Sequence, residues 1–433
     1  MEPNNPDNYN QNGTKITSLL SSSMVIIAIT TSVVAIALAV GLYFWLTSYA
    51  RSVDSGDTIT SQTPSAGETE NPDIAPAPHE LPDSATVPRE PADTYVDTYA
   101  ETYDEHEPSL SASAIELSGQ EITDEILVNM INNGDIPQGV TALDLSNNQI
   151  SNVTPLQSLS VLKELNLRNN QIADVTPLQS LTNLTVLRLA QNQISNIAPL
   201  SSLVNLTELG LGGNQISDLT PVQSLINLER LYFWNNQVTN ITPLRSLTKL
   251  ERLTFENNQI SDISPLNGLT SLTLLDMRNN SISNITPLQS LTNLDELDIR
   301  WNQVSDIRPL QSLTGLTKLL LRGNGITDIS PLSSLTNLTE LTLAENRVRN
   351  ISPLVPLNNL AVLSLGKNRL EDISSLQELT SLTELYLWDN QIKDISPLKS
   401  LTNLVKLDIK NNQISSNQIN DLIRLLPDCD IEY

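Results

Sequence analysis

The side chains that most often carry chemistry are scarce and badly placed for it. The two histidines, His79 and His106, both fall in a Pro-rich acidic stretch, so residues 109–433 hold no imidazole to act as a general base or metal ligand. Cys429 is the single cysteine, which excludes a disulfide framework and a multi-cysteine metal site. One acidic series invites a calcium reading: Asn152, Asp174, Asn196, Asp218, Asn240, Asp262, Asn284 and Asp306, then Asp328, Asn350, Asp372 and Asp394. Calcium needs six to eight converging oxygens, and one side chain per repeat does not supply them. Asn and Asp exchange freely where a side chain bonds its own backbone in a turn, which accounts for the series without a metal. The sequence therefore predicts no enzyme, no cofactor and no metal.

The residues suited to recognition are aromatic and basic. Three tryptophans lie beyond residue 109: Trp234, Trp301 and Trp388. Tyr232 and Trp234 stand in LYFWNN (231–236), and Tyr386 and Trp388 in the matching LYLWDN (385–390). Leucine would serve every inward position, so these rings are expected to be exposed anchors for a partner. Arg278, Arg300 and Arg322 form a basic stripe in consecutive repeats, suited to acidic groups of a protein. Asp276 and Asp298 precede the first two arginines by two residues and offer a competing, internal pairing. Arg322 has Leu320 at that place and is expected to be the least self-paired. Duplication drift is the plain alternative for the five aromatic residues.

The elements that must position them recur every 22 residues. Strands open at Leu143, Leu165, Leu187, Leu209, Leu231, Leu253, Leu275, Leu297, Leu319, Leu341, Leu363, Leu385 and Leu407. A typical unit (187–208) reads LRLAQNQISNIAPLSSLVNLTE. The L-x-L segment alternates as a strand does, leucines inward, with outward side chains one before, one after and three after the opening leucine. Five residues after each opening comes an asparagine: Asn148, Asn170, Asn192, Asn214, Asn236, Asn258, Asn280, Asn302, Asn324, Asn346, Asn368, Asn390 and Asn412. A carboxamide donates and accepts, so this column is predicted to satisfy buried backbone groups between units. Its cost of removal is expected to be smaller at Asn412, where water reaches the array's end. The Ile-x-Pro-Leu-x-x-Leu stretch is too short for a helix and predicts compact turns, with Ser375 replacing the proline once.

This pattern resembles the leucine-rich repeat family, in the short-repeat subclass of bacterial internalins and of a type-1 protein phosphatase regulator. The resemblance covers residues 143–406 as twelve whole units. It implies an α/β solenoid: an arc with a parallel sheet on its concave side, irregular or 3₁₀ turns on the convex side, and protein binding on the concave face. Internalins typically continue into an immunoglobulin-like domain and a wall-attachment region, and the phosphatase regulator is soluble; neither partner transfers. Before the array, Thr123 predicts the N-cap of a helix from Asp124 to Ile131, stopped by Gly134, within a cap spanning 113–142. After it, 407–433 predicts a cap whose helix buries Ile419, Leu422, Ile423 and Leu426 and ends at Pro427.

The chain upstream differs in kind. Residues 1–23 are a polar tail, and Met24 to Leu46 are 23 residues without a charge, about 34 Å of helix, enough to span a bilayer. A cleaved signal peptide is the alternative, but its apolar core runs only about 7–15 residues. Residues 51–112 read as a disordered acidic linker: between 51 and 108 there are 14 acidic and 2 basic residues and eight prolines, with Thr-Tyr motifs at Thr94-Tyr95, Thr98-Tyr99 and Thr102-Tyr103. A net charge of -25 argues against nucleic acid as a partner. The expected whole is a single-pass membrane protein with its repeats outside the cytoplasm, binding a protein between the units opening at Leu231 and Leu385. A structural or adhesive spacer and a cytosol-facing scaffold are the alternatives.

Overall fold

The computed structural model describes residue 111 and residues 114–433. The expected polar tail, membrane helix and linker fall outside the described residues, except the linker's Ser111. Among the described residues no helix is long and apolar enough to cross a membrane.

Every repeat contributes one three-residue strand, and each strand pairs in parallel with the next. The sheet holds β1 (Ile115–Glu116), β2 (Ala142–Asp144), then one strand per repeat through β14 (Lys406–Asp408), and β15 (Asp430–Glu432). Strand order follows chain order throughout, and the register sets each opening leucine beside the next, as Leu187 beside Leu209 and Leu297 beside Leu319. The strands begin one residue before the leucines. Strands β1 and β15 lie outside the repeats and extend the sheet by one rung at either end, so the terminal repeats are not its edges.

Seven inward positions per unit make the core. In the unit opening at Leu297 they are Leu297, Ile299, Val304, Ile307, Leu310, Leu313 and Leu316, all buried. They join one continuous apolar cluster running from Ile122 to Leu426. Phe233 and Phe255 fill the second inward position of adjacent units and stack with ring centres 5.5 Å apart.

The returning chain makes a 3₁₀ turn in each repeat, from Thr154–Ser158 to Ser396–Ser400. Pro at the first turn presets its backbone angle, yet the turn at Ser374–Glu378 forms without it. The Asn and Asp series initiates these turns: Asn152 Oδ1 accepts from the Thr154 N–H at 3.0 Å, and Asp174 and Asp394 do the same for Thr176 and Ser396 at 2.8 Å. Hydrogen bonds from Thr176 hold the Asp174 carboxyl below its ordinary range.

The asparagine column works rung to rung. Asn258 Nδ2 donates to the carbonyls of Phe255 and Glu256 in its own unit and of Phe233 one unit earlier, at 3.0–3.3 Å. Its Oδ1 accepts from the Val238 N–H at 3.0 Å. Just before it the chain turns through the left-handed region, at φ 48° to 58° for the non-glycine residues from Asn147 to Asn411. Asn, Asp and Gly tolerate this conformation best. A second, exposed column joins the turns: Asn183, Asn205 and Asn227 donate to Ser160, Thr182 and Val204 carbonyls one unit back, at 2.8–3.0 Å.

The caps are built as short helices. Helix α1 (Asp124–Asn133) has Thr123 as N-cap, whose Oγ1 accepts from the Ile126 N–H, and Gly134 in the left-handed conformation as its stop. Helix α2 (Ser416–Leu425) buries Leu422, and Leu426 follows it into the core. Ile419 is partly buried, whereas Ile423 turns outward. Cys429 packs partly against the core, and burial pushes its thiol upward, away from reactivity.

The expected difference between Asn258 and Asn412 is corrected by β15. With a further strand beyond it, Asn412 makes the same four bonds, to Leu387, Ile409 and Lys410 carbonyls and from the Ile392 N–H, at 2.9–3.1 Å and 3.2 Å for Lys410. Replacing either residue by Ala should destabilise by about 1–3 kcal/mol, because each change strands buried backbone groups. Thermal melts of the two variants test this. A large loss at Asn258 with none at Asn412 would show that the sheet's end does not protect its ladder.

Candidate functional site: the strand face

Outward side chains of successive strands stand in lanes, and each lane sets unlike residues side by side every 22 positions. In the lane three after the opening leucine, Ala190, Gly212 and Trp234 follow one another, and Ala344, Gly366 and Trp388 repeat the series seven units on. The two tryptophans lie back over the small residues. A Cβ at Gly212 would stand 2.1 Å from the Trp234 ring, and one at Gly366 2.1 Å from the Trp388 ring. With the preceding tyrosines they form two small clusters, Ala190–Tyr232–Trp234 and Ala344–Tyr386–Trp388, separate from the main core.

This packing corrects the expectation of exposed anchors. Tyr232 and Trp234 are 1% and 4% exposed, and Tyr386 and Trp388 are 3% and 8%. Glycine in the preceding unit lets each indole lie flat, so its area is spent inside the sheet. Tyr386 is also held by its own strand: its hydroxyl donates to Glu384 Oε2 at 2.6 Å, and Lys406 Nζ lies 5.5 Å from its ring centre.

Trp301 is the exception. It is 37% exposed and occupies the left-handed position, φ 55°, where most other units carry Asn, Gln, Gly or a charged residue. Bulky side chains rarely adopt this conformation. Its ring lies over Gly323 of the next unit, where a Cβ would come within 2.3 Å. The Arg322 guanidinium stands 5.3 Å from the ring centre.

The basic stripe is internally paired. Arg300 Nε and Nη2 donate to the Asp298 carboxylate at 2.7–3.0 Å, and Arg300 is buried. Arg278 lies 3.3 Å from Asp276 and 3.8 Å from both Glu256 and Asp298. Arg322, expected to be the least self-paired, pairs instead with Glu345 of the next unit at 2.8 Å, and Lys367 joins that carboxylate at 3.4 Å. Its partner was invisible in its own unit because it stands 23 residues away. The sequence reading also missed the buried pair Arg188–Glu208, at 2.7 Å, with Arg230 3.7 Å from the same carboxylate. The signal was there: opposite charges in adjacent lanes of neighbouring units. Among the described residues no three His, Cys, Asp or Glu side chains are grouped to hold a metal ion.

Comparison with known proteins agrees with the repeat. A family model described as Leucine Rich repeats (2 copies) matches residues 138–180, 182–224, 226–268, 270–313, 314–356 and 380–424, and a second, Leucine rich repeat, matches 336–392. The chain belongs to the leucine-rich repeat family. Among solved structures it is similar to an internalin (inlF) from Listeria monocytogenes, at 31% identity and TM-score 0.59 over 74% of this chain and 86% of that one. It is also similar to a Leptospira interrogans leucine-rich repeat protein, at 25% identity and TM-score 0.65 over 74% and 95%. A plant peptide hormone receptor in complex with RGF2 shares the fold at 21% identity and TM-score 0.57, over 66% and 53%. No curated protein sequence matches the chain.

The tiles make a direct prediction. Gly212→Ala and Gly366→Ala should force the indoles off the sheet, lowering stability by about 1–3 kcal/mol and shifting tryptophan fluorescence toward a wetter environment. Gly139→Ala, where an added Cβ meets nothing within 4 Å, is the control. Equal behaviour of the three variants would contradict the tiling.

Proposed function

We propose that this chain is a membrane-anchored, non-catalytic leucine-rich repeat protein that binds a protein partner on its strand face outside the cytoplasm. The observation that carries the reading is Trp301. The fold needs no tryptophan there, the backbone is one that tryptophan disfavours, and the ring is presented on a rigid sheet beside the Arg322–Glu345–Lys367 charges. An exposed, immobilised indole flanked by an arginine is the composition of an interface hot spot. The plant receptor that shares the fold is a complex with a bound partner, and an array of this length offers a comparable surface. Trp301 and Arg322 form the centre of the contact, with Arg278 and Arg300 lending fixed charge from within the sheet. Tyr232, Trp234, Tyr386 and Trp388 stiffen its two flanks. The anchor is supported by the uncharged residues 24–46 and the acidic segment after them.

A spacer with no dedicated partner is the second reading, and the burial of those four rings favours it: they serve the sheet itself.

Cross-linking and pull-down from native membranes with the intact protein supply the partner. Trp301→Ala should then weaken binding by about 2 kcal/mol or more, while Gln289→Ala and Lys399→Ala, on the turn side, leave it unchanged. Loss confined to the turn-side variants would move the site off the strand face. Protease added to intact cells should release the array; an array that survives until lysis would contradict the proposed topology.

A further inference from the structure

Three carboxyl groups and two guanidinium groups share one buried patch in the middle of the sheet. They come from three consecutive strands and the residues that follow them, β7 (Arg252–Thr254), β8 (Leu274–Asp276) and β9 (Glu296–Asp298). Arg300 is engaged by both oxygens of Asp298. Arg278 stands 3.3–3.8 Å from Glu256, Asp276 and Asp298, longer than hydrogen bonds, and the Arg300 charge also reaches Asp276. Glu256 is 2% exposed, and among the described residues its Oε2 is buried with no hydrogen-bond partner. Of the two flanking units, the one before offers the uncharged Tyr232 and Trp234 in the nearer lanes; the one after offers Leu320, Arg322, which pairs with Glu345 at 2.8 Å, and Lys318, which pairs with Glu340 at 3.3 Å. In the lane before the strands stand Arg230, turned toward Glu208 at 3.7 Å, then Arg252 and Glu296. If all three carboxyls were ionised, the patch would bury one uncompensated negative charge, which a low-dielectric site strongly disfavours.

We propose that the buried Glu256–Asp276 pair is a proton-binding site, occupied at mildly acidic pH and emptied as the pH rises past neutrality, so that the middle of the array loosens in alkaline conditions. A proton supplies the donor that the orphaned carboxyl oxygen lacks and removes the surplus charge. Burial, reinforced by the charge of Asp276, pushes the Glu256 carboxyl well above its ordinary range. Burial and the charge of Asp298 push Asp276 up to about 7 from 3.8. A carboxyl raised in the folded state contributes stability that is fully present below its unfolded value, near 3.8, and is lost as the pH climbs through about 7. The surface carboxylates of the turns are lowered instead, so their effect is confined to acid and leaves the neutral window clear. This inference does not depend on the partner proposed above.

The test is the melting temperature of the full chain between pH 5 and pH 8.5, together with Glu256→Gln and Asp408→Asn. The parent protein should lose roughly 2–5 °C across that interval. Glu256→Gln should flatten the slope and melt higher than the parent at pH 8.5. Asp408, also raised by burial but drawn back by the Lys410 and Lys406 charges, should by the same rule take away only a minor part of the slope when replaced by Asn. Difference infrared spectra of the parent provide an arm that needs no variant: a protonated-carboxyl band present at pH 6 should be gone by pH 9. A flat parent profile, a slope retained in Glu256→Gln or carried instead by Asp408, or no such band at pH 6, would each overturn the proposal.

Discussion

One carboxamide per repeat lets the chain leave each strand without abandoning buried backbone groups. Past the third strand residue the backbone bends sharply, and sheet pairing alone does not satisfy the carbonyls along the bend, although the Glu256 carbonyl also accepts from the Asn235 N–H at 2.9 Å. Asn258 gathers three of them and, through its oxygen, one N–H of the previous unit. Unpaired, such groups would cost more than a leucine packed nearby returns. Because the bonds run between units, each asparagine also fixes how its own unit sits on the one before. Register, lane alignment and the constant step of the array all follow from that contact. The leucines supply the driving force; the asparagines decide the geometry in which it acts.

Aligned lanes make the strand face a place where residues 22 apart are nearest neighbours. The indoles of Trp234 and Trp388 exploit this by lying on Gly212 and Gly366, and the arginine stripe by finding carboxylates within or across units. The outcome is a face that is preorganised: its aromatic area and most of its charge are committed before any partner arrives. Preorganisation lowers the ordering cost of association, and it leaves recognition to the few groups still presented, Trp301 first among them. The same closeness concentrates charge, which is why Glu256 and Asp276 hold a proton that isolated carboxyls would have released.

The periodic part of this architecture was legible in the residues. The 22-residue step, the inward leucines, the asparagine column and the helix begun by Thr123 all express local rules. The Asn152–Asp394 series was legible as turn chemistry for the same reason. What was not legible depends on neighbours one or two units away. Trp234 looked exposed because no residue of its own unit covers it; the glycine that receives it is 22 positions earlier. Arg322 looked unpaired because Glu345 lies in the next unit. Glu256 passed unnoticed because its crowding comes from Asp276 and Asp298, one and two units further on. Strands β1 and β15 were missed because Ile115–Glu116 and Asp430–Glu432 carry no repeat signature, and only pairing with β2 and β14 makes them strands.

The central claim is that the asparagine column, and not the strands alone, locks each unit to the next. Hydrogen exchange measures it directly at the amides that donate to the column, Ile150, Val238, Ile326 and Ile392 among them. These amides lie outside the strands, so sheet pairing does not protect them. The account predicts that they exchange as slowly as the strand amides of Leu231 and Leu319. Exchange at the rate of the exposed turns would mean that the carboxamides are passengers and that some other contact sets the step.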